Sequence, residues 1–490
     1  MIFLKTTRQH NHFQRTSKSI AFDTRHRKKI EFNISRYDSA VQRGIARYQN
    51  LEEARARAGA IKREVLKNWD EYLIQFEENA LKNGAKVLWA RNTAEATEHI
   101  KRILREKEAR LLVKSKSMTT EEVEFNAVAE SVGCESVETD LGEFIVQVAG
   151  ERPYHIVTPA MHKSKEDVAE LFHEKFGTPE NETPEKLTEY VRQVLRKKYT
   201  TADVGVTGAN FLIADTGGIS VTENEGNGVM CTAFPKTHIV LAGIEKIIPK
   251  MEQLGLFYPL LAVRGTGQQI TAYNTIFTGV KRDVSTFREP QCPNINREID
   301  GAQEMYIILL DNGRTRVYED ADAYEALSCI RCGSCLNACP VYKTIGGYTY
   351  DTTYSGPIGS VLTPFFRGFK HFSHLSSASA LCGACSDVCP VKIPLTEILL
   401  TNRRKNVQEY AYAPIERCAM KGFELMASKR IGFDFFPSQI KNLTLYPLNF
   451  FGWGTKRRMP KFAKKSFSQQ YKSQAPSNSP EGGELGKCKK

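Results

Sequence analysis

Two cysteine runs organise this chain, SCIRCGSCLNACPVY at residues 328–342 and LCGACSDVCPVKIP at residues 381–394. The first run has the spacing C-x2-C-x2-C-x3-C-P, and the second has the spacing C-x2-C-x3-C-P. Their cysteines are Cys329, Cys332, Cys335, Cys339, Cys382, Cys385 and Cys389. Thiols this closely spaced indicate metal binding rather than packing of the core.

The spacing favours iron–sulfur clusters over zinc. It matches the run of bacterial ferredoxins, in which three thiolates hold one four-iron cluster and the fourth, before the proline, ligates the other cluster. A zinc site needs four ligands, usually as two separated pairs. Disulfides are not expected, because nothing in the sequence indicates export to an oxidising compartment.

In this pattern the cysteine before the proline crosses over to the other cluster, and this crossover assigns each cysteine to a cluster. The first cluster is assigned to Cys329, Cys332, Cys335 and Cys389, and the second to Cys339, Cys382 and Cys385. The second cluster lacks one thiolate, and the corresponding position holds Ser379. We therefore expect one 4Fe-4S cluster, and a second that is either 3Fe-4S or a 4Fe-4S cluster completed by Ser379, water or a partner's group.

Composition limits the class of protein. A chain of 490 residues with 41% hydrophobic and 25% charged residues is an ordinary globular protein with room for two or three domains. The net charge of +12 suits an acidic partner, a membrane surface or nucleic acid. Because Lys and Arg concentrate in the tails, without aromatic residues interleaved across a domain, we favour solvated basic tails and expect no nucleic-acid binding.

The sequence predicts a cytoplasmic protein. It has no apolar run near the roughly 18 residues of a membrane span, and its first residues lack the apolar core of a signal peptide. Aromatic residues at 448–453 precede a basic cluster at 456–458. This pairing suits peripheral contact with a membrane surface or an acidic partner, and equally an aromatic anchor followed by a tail.

Periodicity divides the chain into six segments. Short apolar runs at 85–90, 110–114 and 154–158 alternate with helical patterns at 94–105 and 165–176, which predicts a mostly parallel sheet covered by helices. The long insert between the cysteine runs predicts short helices, and therefore a helical two-cluster ferredoxin domain. The predicted segments are a basic mobile arm at 1–36, N-terminal helices at 37–84, an α/β domain at 85–317, an iron–sulfur domain at 318–407, a helical and aromatic extension at 408–455 and a basic disordered tail at 456–490.

Four charged residues follow predicted strands of the α/β domain, at the sheet edge where ligands bind. Lys114 and Lys116 suit an anion, Arg264 suits a carboxylate or phosphate, and Glu223 follows a buried strand. Neither G-x-G-x-x-G nor the Walker A pattern is present, so nucleotide binding has little support. Turn formation explains the neighbouring glycines equally well.

The cysteine runs, together with VKSKSM at 113–118, VGVTGANFLIADTGGISVTENEGN at 204–227, VRGTGQQ at 263–269 and GPIG at 356–359, resemble the lactate-utilisation protein B family. The resemblance covers about residues 60–440. It implies a LUD domain, related to the sugar-phosphate isomerase and CoA-transferase folds, followed by an iron–sulfur domain. It also implies two partner subunits, one cysteine-rich redox subunit and one with a LUD domain alone, in oxidation of L-lactate to pyruvate.

These observations support a redox subunit that is not catalytic alone, because the sequence shows no flavin or nicotinamide fingerprint. Two alternatives remain open. The same role could serve glycolate or another 2-hydroxy acid, or the LUD domain could itself be an enzyme or redox-linked sensor of an anionic metabolite. By resemblance to CoA-transferases, Glu223 stands at the position of their catalytic glutamate, although a strand-end glutamate without catalytic function is the favoured interpretation. The terminal electron acceptor cannot be deduced from the sequence.

Overall fold

Ten β-strands in the described residues form two sheets. The computed structural model describes residues 7–280, 301–410, 414–429, 437–451 and 460–474. The strands are β1 (Lys86–Ala90), β2 (Leu111–Lys114), β3 (Glu135–Glu138), β4 (Val204–Thr207), β5 (Phe211–Ile213), β6 (Gly218–Glu223), β7 (Thr237–Gly243), β8 (Ile247–Ile248), β9 (Tyr273–Phe277) and β10 (Glu304–Leu310).

The larger sheet has six strands in the order β1-β10-β7-β4-β2-β3, and every neighbouring pair is parallel. The smaller sheet has the order β8-β5-β6-β9, with β5 and β9 antiparallel to β6 and β8 parallel to β5. Because parallel neighbours need crossover connections, helices separate most of the strands of the larger sheet and cover it.

The helices of residues 7–408 fall into three groups along the chain. Those before the first strand are α1 (Arg8–Ile20), α2 (Thr24–Ile45), α3 (Leu51–Lys67) and α4 (Trp69–Lys82). Those between the strands are α5 (Thr93–Glu106), α6 (Met118–Glu122), α7 (Phe125–Glu130), α8 (Leu141–Val148), α9 (Lys165–Phe176), α10 (Pro184–Thr201), α11 (Asn227–Ala233) and α12 (Leu254–Thr266). Those after β10 are α13 (Arg314–Tyr318), α14 (Ser334–Ala338), α15 (Pro340–Ile345), α16 (Gly356–Arg367), α17 (Phe369–Phe372), α18 (Ala384–Asp387) and α19 (Leu395–Lys405).

The alternation of side chains along β10 shows that the larger sheet is buried on both faces. Ile308 and Leu310 pack with α5 and α7 on one face. Ile307 and Leu309 face the other side and join a core that contains the smaller sheet, α3, α4 and α12. Strands that are apolar on both faces are the pattern expected for a parallel sheet between two layers.

The helical segment that follows β10 packs directly on this second core. Leu336, Tyr342, Leu362 and Ile398 belong to the same cluster of buried side chains as Ile307. Residues 7–408 accordingly form one compact unit. The predicted fold class, an α/β domain with a mostly parallel sheet followed by a helical two-cluster domain, is confirmed, but the two parts share one core.

The predicted mobile arm at 1–36 differs from the structure over its described residues, which form α1 and the first part of α2. Thr7 and Asp23 cap these helices by accepting hydrogen bonds from the backbone N–H groups of His10 and His26. Ile30 and Ile34 are buried in the main core. The prediction was wrong because about one apolar side chain per turn, such as Ile30 and Ile34, is enough to pack a strongly basic helix against the core.

Two other predicted segments also differ. Residues 154–158 form a bend rather than a strand, because the ring of His155 accepts hydrogen bonds from the N–H groups of Val157 and Thr158. In the predicted disordered tail, Phe467–Gln474 is helical, and Ser466 and Gln469 exchange capping hydrogen bonds at its start. Residues 456–459 and 475–490 of that tail lie outside the described residues.

The described part of the C-terminal unit also contains the helices Pro414–Ala427 and Ser438–Phe451. These helices lie within the predicted helical extension at 408–455. Across the described residues of the whole chain, no helix combines the length and the apolar character needed to cross a membrane.

We expect Gly267→Ala to lower the free energy of unfolding by at least about 2 kcal/mol, because overpacking alone costs about 1–3 kcal/mol. Gly267 ends α12 with a φ of 77°, and a β-carbon there would overlap the main chain of Ala40 and Val41 on α2. Gly255→Ala, on the same helix but with no atom within 4 Å of the added carbon, is the matched control. Urea denaturation of both variants measures the difference, and equal stabilities would contradict the packing described here.

Candidate functional site

The two cysteine runs fold into two separate loops of the same conformation. Gly333 and Gly383, each after the first cysteine of a Cys-Gly-x-Cys sequence, have φ angles of 79° and 87°. The residues two positions earlier, Arg331 and Leu381, also have left-handed φ angles, of 61° and 52°. A short helix, α14 or α18, follows each glycine. Position 379 therefore corresponds structurally to Cys329.

The four cysteines assigned to the first cluster line one cavity. Its remaining lining is mostly apolar, with Ile156, Ile330, Arg331, Gly333, Ile358, Pro390, Val391, Ile393 and Leu395. Cys335 interacts electrostatically with Cys329, Cys332 and Cys389. The fold thus brings the last cysteine of the second run next to the first three of the first run, and their assignment to one cluster stays a prediction.

The other three cysteines lie together in a second place. Cys339 interacts electrostatically with Cys385 and Cys382. Cys339 and Cys385 are buried, whereas Cys382 is exposed. This second group is therefore the more accessible of the two from solvent.

Ser379 occupies the place of the missing cysteine. The backbone N–H of Arg331 donates to the Cys329 Sγ at 3.4 Å, and the N–H of Leu381 donates to the Ser379 Oγ at 3.1 Å. The hydroxyl of Ser379 is thus held as the Cys329 thiol is held. Its role as a ligand stays a prediction.

The donors and surroundings of both groups fit iron–sulfur clusters. Backbone N–H groups of Tyr342 and Ile393 donate to the sulfurs of Cys339 and Cys389 at 3.5 and 3.4 Å, which stabilises thiolates. Burial raises the pKa of Cys332 to about 11, so iron binding has to displace its proton at neutral pH. Within the part of the chain that the structure describes, no group of three or more ligands is arranged around a single metal ion.

A cleft of about 560 Å³ adjoins the first cysteine group. It lies at the carboxyl ends of β2, β4 and β6, where open parallel sheets bind ligands. Its opposite wall comes from the iron–sulfur segment, through Arg331, Cys332 and Tyr354. Arg331 and Cys332 line both the cleft and the cluster cavity, so the two sites share a wall.

Two of the four predicted charged residues line this cleft. Lys116 donates to the Asp140 carboxylate and to the Val157 carbonyl, both at 3.1 Å. The Glu223 carboxylate accepts hydrogen bonds from the N–H groups of Gly228 and Val229 at the start of α11. Burial raises the pKa of Glu223, although these N–H groups partly offset the effect.

Lys114 and Arg264 lie elsewhere. Lys114 is fully buried, and its ammonium pairs with the carboxylates of Glu138 at 2.7 Å, Glu121 at 3.5 Å and Glu143 at 3.9 Å. Burial alone would lower the pKa of Lys114, but these carboxylates raise it. Arg264 is buried beside the first cysteine group, where it interacts electrostatically with the Cys332 and Cys389 thiols. Neither side chain lines the cleft.

Sequence reasoning missed the charged residues at the cluster end of the cleft. The buried Glu245 carboxylate pairs with Arg331 at 3.0 Å and also with Arg314. Lys246 lines the cleft beside this pair, and burial and the charge of Arg331 lower its pKa to about 8. The only signal in the sequence was the position of Arg331 inside a cysteine run.

Comparisons with known proteins agree with this organisation. The model of the LUD domain matches residues 73–310, and the model of the 4Fe-4S dicluster domain matches residues 325–393. The fold and the cysteine groups therefore define a protein that joins a LUD domain to a 4Fe-4S dicluster domain. A solved structure of a DUF162 family protein from Deinococcus radiodurans matches 49% of this chain and 97% of its own, with 16% identity and a TM-score of 0.27.

Curated relatives identify the family. The lactate utilization protein B of Geobacillus sp. (strain WCH70) is 41% identical over 89% of this chain and 88% of its own. That of Lysinibacillus sphaericus (strain C3-41) is 43% identical over 83% of this chain and 85% of its own. The chain belongs to the lactate utilization protein B family.

We expect Lys114→Met to lower the free energy of unfolding by about 3–5 kcal/mol, because it leaves buried carboxylates without their counter-ion. Lys198→Met, which removes a partly exposed ion pair to Glu135, is the control and should cost less than about 1 kcal/mol. Urea denaturation under matched conditions measures both. A small effect of Lys114→Met would contradict the pairing of its ammonium with these buried carboxylates.

We expect Ser379→Cys to supply the fourth thiolate of the second cluster. The variant, purified anaerobically, should contain two 4Fe-4S clusters by iron analysis, and any 3Fe-4S signal in the electron paramagnetic resonance spectrum of the oxidised wild-type protein should be absent. Ser377→Cys, two residues earlier and solvent-exposed, is the control. A changed second cluster in the control, or an unchanged spectrum and iron content in Ser379→Cys with wild-type 3Fe-4S present, would contradict the equivalence of positions 329 and 379.

Proposed function

We propose that this chain is the iron–sulfur electron-transfer subunit of a complex that oxidises L-lactate to pyruvate. The names of its curated relatives, lactate utilization protein B, and its 4Fe-4S dicluster domain support a role in lactate utilization and electron transfer. The observation that carries the proposal is the wall shared by the cleft and the first cysteine group, formed by Arg331 and Cys332.

The chain's own residues would hold and shield the clusters. Cys329, Cys332, Cys335 and Cys389 would bind a 4Fe-4S cluster, and Cys339, Cys382 and Cys385 would bind the second cluster, with Ser379 as the candidate fourth ligand. When bound, such clusters exchange one electron at a time, so two of them can accept the two electrons of lactate oxidation. The apolar side chains of Ile156, Ile358 and Leu395 exclude water around the first group.

The partners in this proposal are two other lactate-utilisation subunits. One is a cysteine-rich redox subunit, and the other has a LUD domain alone. Hydride chemistry is assigned to a partner, because this sequence has no flavin or nicotinamide fingerprint. The exposure of Cys382 supports approach of a partner to the second group.

Two other functions differ from this one in ways that can be measured. In the first, the chain transfers electrons through the same clusters, but the complex oxidises glycolate or another 2-hydroxy acid. An enzyme or redox-linked sensor that binds an anionic metabolite is favoured by the size of the cleft and by the cationic side chains of Lys246 and Arg331 in its lining.

The first experiment is anaerobic purification of the chain with the proteins that co-purify, followed by addition of L-lactate or glycolate. We expect L-lactate to bleach the visible absorption of the clusters and to produce the electron paramagnetic resonance signal of reduced clusters. Reduction by glycolate alone would establish the other substrate. No reduction by either acid, with clusters intact and partners present, would contradict the proposed role.

The second experiment replaces one ligand of each group. We expect Cys332→Ser and Cys385→Ser to abolish growth in a strain that depends on this chain to grow on L-lactate, because each removes a cluster thiolate. Cys418→Ser changes an exposed cysteine outside both groups and should leave growth unchanged. Iron content and far-UV circular dichroism separate cluster loss from unfolding. Normal growth after loss of the clusters would exclude electron transfer by this chain.

A further inference from the structure

The cluster end of the cleft contains a cation, Lys246, that is left unpaired by the part of the chain that the structure describes. The residue Lys246 is only 8% exposed and lines the cleft, yet its ammonium forms no hydrogen bond or ion pair with any of the described residues. The neighbouring Glu245 carboxylate is already occupied by Arg314 and Arg331. The side chain of Lys246 is mostly buried and no described residue forms an ion pair with its charge, so this arrangement is suited to a ligand that brings a negative charge.

Arg331 adds further donors beside Lys246. Its Nη2 donates to Glu245 at 3.0 Å, while its buried Nε and Nη1 have no hydrogen-bond partner. Its guanidinium lies over the ring of Tyr354, 4.5 Å from the ring centre, which fixes its plane. Arg331 also lines the cavity of the first cysteine group, so these donors lie where the cleft meets that group.

The backbone that carries Lys246 is itself held in place. The fully buried ammonium of Lys62 on α3 donates to the carbonyl oxygens of Glu245 and Ile247 at 2.7 and 3.0 Å. These bonds fix the short turn Ile244–Lys246 that follows β7. The position of Lys246 is therefore set by the fold before any ligand binds.

The other charged side chains of the lining are acidic or already paired, and Lys163 donates to the Glu151 carboxylate at 2.8 Å. Asp140, Glu223 and Glu225 surround Lys116, and burial together with the charge of Asp140 raises the pKa of Glu225. The electrostatic partners of Lys246 are instead Arg331, Glu245, Cys329 and Arg314. An anionic group in the cleft is therefore favoured most between Lys246 and Arg331, whose donors the described residues do not fully occupy.

We propose that the cleft binds a 2-hydroxy or 2-oxo acid with its carboxylate between Lys246 and Arg331, next to the first cysteine group. The choice of acid rests on the proposed function, whereas the place of the carboxylate rests on the charges of the cleft. A volume of about 560 Å³ lies in the range of organic-ligand sites and exceeds what a three-carbon acid fills. The probes must therefore include longer acids.

The test is isothermal titration of the full chain, purified anaerobically with its clusters, against L-lactate, pyruvate, 2-hydroxyglutarate and inorganic phosphate. We expect at least one of the acids to bind, and Lys246→Gln to raise its Kd by about tenfold or more, since a charge-assisted hydrogen bond is lost. Lys246→Arg, which keeps the charge, should bind more tightly than Lys246→Gln. Lys198→Gln, on the outer surface of the LUD domain, should bind as the wild-type protein does.

Three results would overturn this inference. They are no binding of any acid at tens of millimolar, an unchanged Kd in Lys246→Gln, and phosphate binding as tightly as the best acid, which would mark a site for anions in general. Iron content and visible absorption of each variant show that the clusters are intact. Lactate-dependent cluster reduction with partners present, but no binding by this chain alone, would refute the cleft site and leave the electron-transfer role standing.

Discussion

The arrangement of the molecule depends on the buried carboxylate of Glu245. It accepts hydrogen bonds from Arg314 after β10 and from Arg331 in the first cysteine run, and Arg314 also pairs with Glu122 on α6 at 2.9 Å. The two carboxylates and the two guanidinium groups of this network balance in charge. This balance reduces the free-energy cost of burying the ions. The network therefore fixes the cysteine loop against the ends of the parallel strands, because moving either part would leave a buried charge without a partner.

This constraint brings the cleft of the α/β domain and the first cysteine group next to each other. A parallel sheet gathers its loops at the carboxyl ends of its strands, and there the LUD domain opens its cleft. The loop that carries Arg331 and Cys332 closes the same cleft from the other side. Arg331 and Cys332 of the cysteine run, together with Ile156, line both the cleft and the adjoining cavity.

The sequence was sufficient to predict features that depend on the local spacing of residues. The cysteine pattern predicted both groups and their crossover, and the apolar runs predicted β1 and β2. Features that depend on tertiary contacts were not predictable. Lys114 appears as a strand-end cation in the sequence, but three distant carboxylates surround it in the fold. No sequence pattern indicated the role of Lys246, because its neighbours in space come from a turn, a cysteine loop and α3. The helix α1 was not predicted, because its packing on the core needs few apolar residues.

The shared core has a consequence for the stability of the protein. Buried cysteines of both groups pack in the same cluster of side chains as the central strands of the LUD domain. The cysteine loops and the central strands are therefore not two modules that can be completed separately, because each supplies part of the apolar packing of the other. We expect the gain or loss of a cluster to change the stability of the whole unit and not only that of the cysteine loops.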